Sequence, residues 1–168
     1  MSKVMERERA KGATTTETAF RSLVRTCGML RRVQEPYFQR LGISGAQWGV
    51  LRVLHRAEEE GNAGLRLAEM GDRLLIRPPS VTGVVDRLER MKLVSRQAVP
   101  DDRRARHVRL TESGRQLLQQ SLLSHGQRTQ SLMSGLTPAE QKSLGVVLEK
   151  LCAHLEAMAS AEVGVEGE

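Results

Sequence analysis

Aromatic side chains are nearly absent from this chain of 168 residues: Phe20, Tyr37, Phe38 and Trp48 are the whole set. That scarcity argues against modules that hold single-stranded nucleic acid, which stack bases on aromatic platforms. Cysteine is equally scarce. Cys27 and Cys152 can build neither a zinc site by themselves nor a disulfide framework, which points to a reducing cytosol. No apolar run approaches the roughly 20 residues that cross a bilayer, and the stretch Met1–Lys11 is charged rather than signal-like. The expectation is a cytoplasmic protein with no membrane partner. None of His55, His107, His125 and His154 pairs at metal-ligand spacing, and there is no nucleophile–base pairing or phosphate-cradling glycine loop. No metal, cofactor or enzymatic activity is expected.

What the chain does have is positive charge, unevenly placed. Lys and Arg number 26 against 20 Asp and Glu, a net charge of +6. Between Leu65 and Thr111 lie eleven basic and six acidic residues, so this middle stretch carries +5 of the excess. A localised basic lobe is the footprint of a polyanion partner, most often nucleic acid; the plainer reading is a solvated basic surface. With 39 % hydrophobic and 27 % charged residues the composition is globular, and the length suits one compact domain.

Periodicity supplies the elements. Residues 1–15 are polar and aperiodic, a frayed arm. Phe20, Leu23, Val24, Cys27 and Leu30 then recur at spacings of three and four, one face of a helix within 16–43. Pro36 predicts a kink or stop near Glu35. Ser44 and Gln47 form a capping box for a helix over Gly45–Ala57 that buries Trp48, Leu51 and Leu54. The acidic, glycine-containing stretch Glu58–Gly64 reads as a loop. Leu67–Leu74 makes a short helix, Leu75–Arg77 a tight connection, and Pro78-Pro79 a new helix start. Val81, Val84, Val85 and Leu88 give that helix its apolar stripe and leave Ser80, Thr82, Gly83, Asp86 and Arg87 at or near its other side. Leu93–Val99 and Arg106–Leu110 alternate like strands, with a polar turn over Pro100–Ala105 between them. A helix opens near Thr111–Gly114, with Leu117, Leu118 and Leu122 inward. Thr137 and Glu140 form a second capping box before the stripe Leu144, Val147, Leu148, Leu151, Leu155, Met158. Residues 161–168 should fray.

A short helix, a second helix and a basic hairpin, in that order, make a winged helix-turn-helix. The expected fold is mainly α with a small β-hairpin. Residues 44–111 form the winged helix-turn-helix; 16–43 and 112–160 supply N- and C-terminal dimerisation helices, since apolar end helices are best covered by a second copy of themselves. Cys27, on an apolar face, reads as a small buried hydrophobe. Met29, Met70, Met91, Met133 and Met158 read as core filling. The sharper alternative is an adaptable ligand cavity near the dimer helices, walled by Tyr37, Phe38 and Trp48.

Gln47–Leu51, Leu65–Leu74, Ser80–Glu89, Leu93-Val94, Asp102–Ala105 and Val108–Thr111 with Gly114, in this order, resemble the MarR family of bacterial transcription regulators. The ordered match runs from about Thr16 to Ala159. The resemblance implies a homodimer on an inverted-repeat operator in double-stranded DNA, usually a repressor. It also implies an effector, often a small aromatic acid or other xenobiotic, and in some members an oxidant-sensing cysteine. The helix Pro78–Arg90 would be the recognition helix and Val99–Arg106 the tip of the wing. Against the family pattern, Arg66 stands where a Ser or Thr caps the short helix. Leu75 replaces the turn glycine, Arg77 the cap before the recognition helix, and Gly83 a larger polar residue.

On that reading Ser80, Thr82 and Arg87 reach base edges or phosphates, and Arg77 meets a phosphate. Arg103 and Arg104 sit at the wing tip, where a narrow minor groove has enhanced negative potential. The favoured assignment sends Arg103 to DNA and pairs Arg104 with Asp102, which shapes the wing. Two other readings stay open: a helical protein–protein adaptor whose basic hairpin meets an acidic partner, and a redox-switched variant of the regulator acting through Cys27.

Overall fold

The computed structural model describes residues 14–74, 78–99 and 102–165; the side chains of residues 78, 79, 99, 102–105 and 162–165 fall outside that description. The described elements are α1 (Thr15–Arg40), α2 (Gly45–Glu59), α3 (Leu67–Leu74), α4 (Pro78–Arg90), β1 (Val94–Val99), β2 (Asp102–Leu110), α5 (Glu112–Met133) and α6 (Pro138–Val165). The expected class, a mainly α winged helix-turn-helix with one hairpin, is the observed one.

Helix α1 starts at Thr15 because Thr14 caps it. The Glu17 backbone N–H donates to Thr14 Oγ1 at 3.2 Å, and the Thr14 N–H donates to Glu17 Oε2 at 3.0 Å. The helix does not stop at Glu35; it carries Pro36 in its interior and runs on to Arg40. An interior proline costs about 3 kcal/mol. The next two residues, Tyr37 and Phe38, are buried in the core, and burying such side chains returns about 1.5–3 kcal/mol each. That balance favours continuing the helix for one more turn.

The capping box of Ser44 and Gln47 forms as expected, at 3.2 and 2.7 Å, and α2 runs two residues past Ala57. Arg66 offers no side-chain cap to α3, but its backbone N–H donates to Glu69 Oε2 at 2.7 Å, which supplies the partner from inside the helix. Beyond Arg90 the chain turns through Lys92 in the left-handed region (φ 59°), with the Leu93 N–H on the Leu88 carbonyl at 3.0 Å.

In the hairpin, Val94 to Ala98 pair with Leu110 to Arg106 in regular antiparallel register, and then Val99 pairs with Asp102. The strand β2 therefore starts at Asp102, not Arg106 as the polar turn suggested, and Arg103, Arg104 and Ala105 are a local excess on β2 with no opposite residues on β1. Extra residues of this kind twist a ribbon and re-aim its tip. Leu65 adds a third rung at the base: its N–H donates to the Val108 carbonyl at 3.1 Å, and the Val108 N–H donates back at 2.8 Å.

Two compact units divide the chain, Met1–Gln119 and Gln120–Glu168. In the first, α2, α3 and α4 pack on one another and on the base of the hairpin. The core holds Leu51, Leu54, Met70, Val81, Val84, Val85, Leu88, Val94, Val108 and Leu118, together with Trp48 and Phe38. The Arg115 guanidinium at the start of α5 grips Glu58 of α2 through two hydrogen bonds of 2.8 and 3.0 Å. Leu118 is inward as expected, while Leu117 and Leu122 are half-buried.

Two expectations are corrected. Cys27 is exposed, with its stripe-mates Phe20, Val24 and Leu30. Of the five methionines read as core, only Met70 is buried; Met29, Met91 and Met158 are exposed and Met133 is half-buried. The stripe of α6 is likewise uncovered at Leu144, Val147, Leu148, Leu155 and Met158.

Candidate nucleic-acid interface

Helix α4 presents two faces set by one arithmetic. At about 100° per residue, Val81, Val84, Val85 and Leu88 fall within one arc, and all four are buried. Ser80 and Arg87 lie seven residues apart along one flank of that arc, about 90–110° from its centre, and both are exposed. Gly83 and Arg90 share this side. At a rise of 1.5 Å per residue the Ser80–Arg87 line spans about 10 Å, a length that matches a major groove roughly 12 Å wide. Thr82 belongs to a different flank, half-buried, with Asp86 and Glu89. The structure thus groups Ser80 with Arg87 and sets Thr82 apart.

That flank faces the hairpin. Arg96 of β1 donates from Nη2 to Asp86 Oδ1 at 2.5 Å, from Nη1 to Glu89 Oε2, and from its backbone N–H to Glu89 Oε1 at 3.2 Å. Partial burial works against its charge, but the two carboxylates outweigh that and hold the guanidinium above its usual range. Nothing in local spacing marked Arg96, since its partners sit seven and ten residues away on another element.

Arg77 lies outside the described residues. Asp102, Arg103 and Arg104 are placed by backbone only: they open β2 at the irregularity of the wing. Arg106, two residues further along β2, is exposed. Tyr37, Phe38 and Trp48 do come together, with ring centroids 5.2 Å apart for Tyr37–Phe38 and 6.2 Å for Phe38–Trp48, all three buried. Among the described residues no group of three or more His, Cys, Asp or Glu is arranged to hold a metal ion, and no helix is long and apolar enough to cross a membrane.

A family model described as the MarR family matches residues 41–105, the stretch that runs from the start of α2 to the wing. An uncharacterised HTH-type transcriptional regulator of Bacillus subtilis, YkoM, is 33% identical over 113 residues, covering 67% of this chain and 70% of its own. The chain belongs to the MarR family. Among solved structures, the MarR-family regulator Sco3205 of Streptomyces coelicolor in complex with DNA superposes with a TM-score of 0.75 at 26% identity, over 85% of this chain and 89% of that one. A mutant of MarR from Escherichia coli complexed with operator DNA gives 0.70 at 27% identity, over 78% and 91%. The MarR assignment makes the protein a member of a family of transcription regulators, which is what the resemblance of its motifs implies.

Proposed function

We propose that the protein is a homodimeric, sequence-specific regulator that binds an inverted repeat in double-stranded DNA, represses from that site, and lets go on binding a small-molecule effector in the cytoplasm; no enzymatic activity is assigned to it. The observation that carries this reading is the exposed Ser80–Arg87 line on α4, backed by a buried valine face and flanked by a basic hairpin. Arg87 takes a guanine edge, while Ser80 and Thr82 take bases or phosphates near the amino end of the helix. Arg77 meets a phosphate. Arg103 enters the adjacent minor groove, and Arg104 pairs with Asp102 to shape the wing. The cluster of Tyr37, Phe38 and Trp48 is the candidate wall of the effector site.

The second copy follows from surface chemistry. Phe20 is 68% exposed and Val147 62% exposed in a single chain, each within a stripe of apolar neighbours, and such stripes mark association surfaces.

Enrichment of duplexes by the protein from a randomised pool tests the reading. An inverted repeat is expected to emerge. Arg87→Ala and Arg103→Ala should each weaken binding to that duplex about tenfold or more, and a lost phosphate contact should flatten the log–log salt dependence by about one unit. A pool that yields no common sequence, or a monomer indifferent to duplex DNA at low salt, refutes it and favours the adaptor.

A further inference from the structure

The hold of Arg96 on α4 is built in a way that the family assignment does not account for. In an antiparallel ladder both main-chain polar groups of a residue point to the same side. The N–H and C=O of Val108 point at Leu65, away from β1, so Arg96, its register partner, turns its own N–H away from β2. That N–H meets Glu89. The side chain adds the two charged bonds to Asp86 and Glu89. One residue thus fixes strand to helix by three hydrogen bonds, at the end of the hairpin whose register is anchored by buried Val94, Val108 and Leu110.

The carboxylates have a cost that this arrangement reduces. Asp86 and Glu89 alternate with Arg87 and Arg90 along α4, so the helix by itself has no net charge over these four residues. Left unpaired, two carboxylates beside the reading line would repel DNA phosphates. We propose that Arg96 is a positioning residue for DNA reading: it engages Asp86 and Glu89 rather than the nucleic acid, setting the wing against the reading helix and offsetting one of the two negative charges there. The inference rests on α4 being the reading helix.

The test uses the full-length protein and two probes: a duplex enriched from a randomised pool by the wild type, and a scrambled duplex of equal length. Arg96→Gln is expected to lower the ratio of the two affinities about tenfold, a change that simple loss of folded protein would not produce because it scales both affinities alike. In the Asp86→Asn/Glu89→Gln background the same Arg96→Gln step should cost less than threefold, since groups that act as a unit do not add. A full tenfold loss in that background would mean that Arg96 touches DNA itself and would overturn the proposal; so would an unchanged ratio in Arg96→Gln. If Arg96→Gln loses its helical circular dichroism, the carboxylate pair variant decides: it should lower the ratio too, and an unchanged ratio overturns the proposal. Arg87→Ala run alongside separates the two failures. Without an effect there, the reading of α4 falls; with one, only the role of Arg96 does.

Discussion

Replacing Gly114 by alanine sets two physical rules against each other. Gly114 lies in the first turn of α5, where alanine is ordinarily the better residue by about 0.5–1 kcal/mol. Here, however, a Cβ would stand 2.1 Å from the Leu93 carbonyl oxygen and 3.1 Å from its carbon. Neither atom belongs to a flexible side chain. The Leu93 carbonyl accepts the Thr111 N–H at 3.1 Å, and the preceding Lys92 carbonyl accepts the Thr111 hydroxyl at 2.6 Å, while Thr111 Oγ1 in turn receives the Gly114 N–H. Moving the carbonyl therefore disturbs the cap of α5 and the entry to β1 together. Overpacking of this kind costs about 1–3 kcal/mol, with the cap adding about 1 more. Gly83 is the internal control: it sits inside α4, and a Cβ there meets nothing within 4 Å. Gly83→Ala should stabilise by about 0.5–1 kcal/mol. Urea unfolding at a fixed protein concentration, followed by helical circular dichroism, reads both variants against the wild type. A Gly114→Ala midpoint at or above that of the wild type would refute the close-approach argument, whatever Gly83→Ala does.

Two further outcomes concern titratable groups. The Glu140 carboxylate accepts the Thr137 N–H and hydroxyl at the start of α6, which holds it below the usual glutamate range. A depressed folded value means stability that is present above the ordinary value of about 4.3 and lost as pH falls below it, so the melting temperature should fall more steeply between about pH 4.5 and 3 in the wild type than in Glu140→Gln. In the same helix, the hydrogen bond and negative charge of Glu156 push the Cys152 thiol up. Iodoacetamide should label Cys152 more slowly near neutral pH than a free thiol, and Glu156→Gln should speed that labelling; equal rates would show that the pair does not persist in solution.

Local signals were legible where the physics is local. The capping boxes at Ser44 and Thr137 and the extent of α3 could be read directly, because each is decided within three or four residues. The box at Thr14 and Glu17 carries the same signal, hidden by reading the polar arm as one piece. Pro36 does not end α1, because its penalty is local while the compensation, the burial of Tyr37 and Phe38, depends on the rest of the core. The start of β2 was obscured by Arg103-Arg104-Ala105: three extra residues break the alternation that marks a strand. At the site, Ser80 and Arg87 followed from helical spacing, but Arg96 could not, since only the folded hairpin brings it to Asp86 and Glu89.

The misreading of Cys27 and Met29 has a single cause. A three-four stripe says that a helix hides one face; it does not say from what. In α4 the hidden face meets α2, α3 and the base of the hairpin, and Val81 and Val85 are fully buried. In α1 a stripe of the same kind leaves Phe20, Val24, Cys27 and Leu30 in the open. Burying one such side chain is worth about 1.5–3 kcal/mol, so leaving the stripes of α1 and α6 in water would forfeit more than a marginally stable domain can spare. An identical helix from another copy can recover that loss without any new sequence, because a two-fold axis brings each stripe to the same patch on its partner. Periodicity alone therefore gives the same reading for core and for subunit contact, and only the packing of each stripe in the folded chain separates the cases.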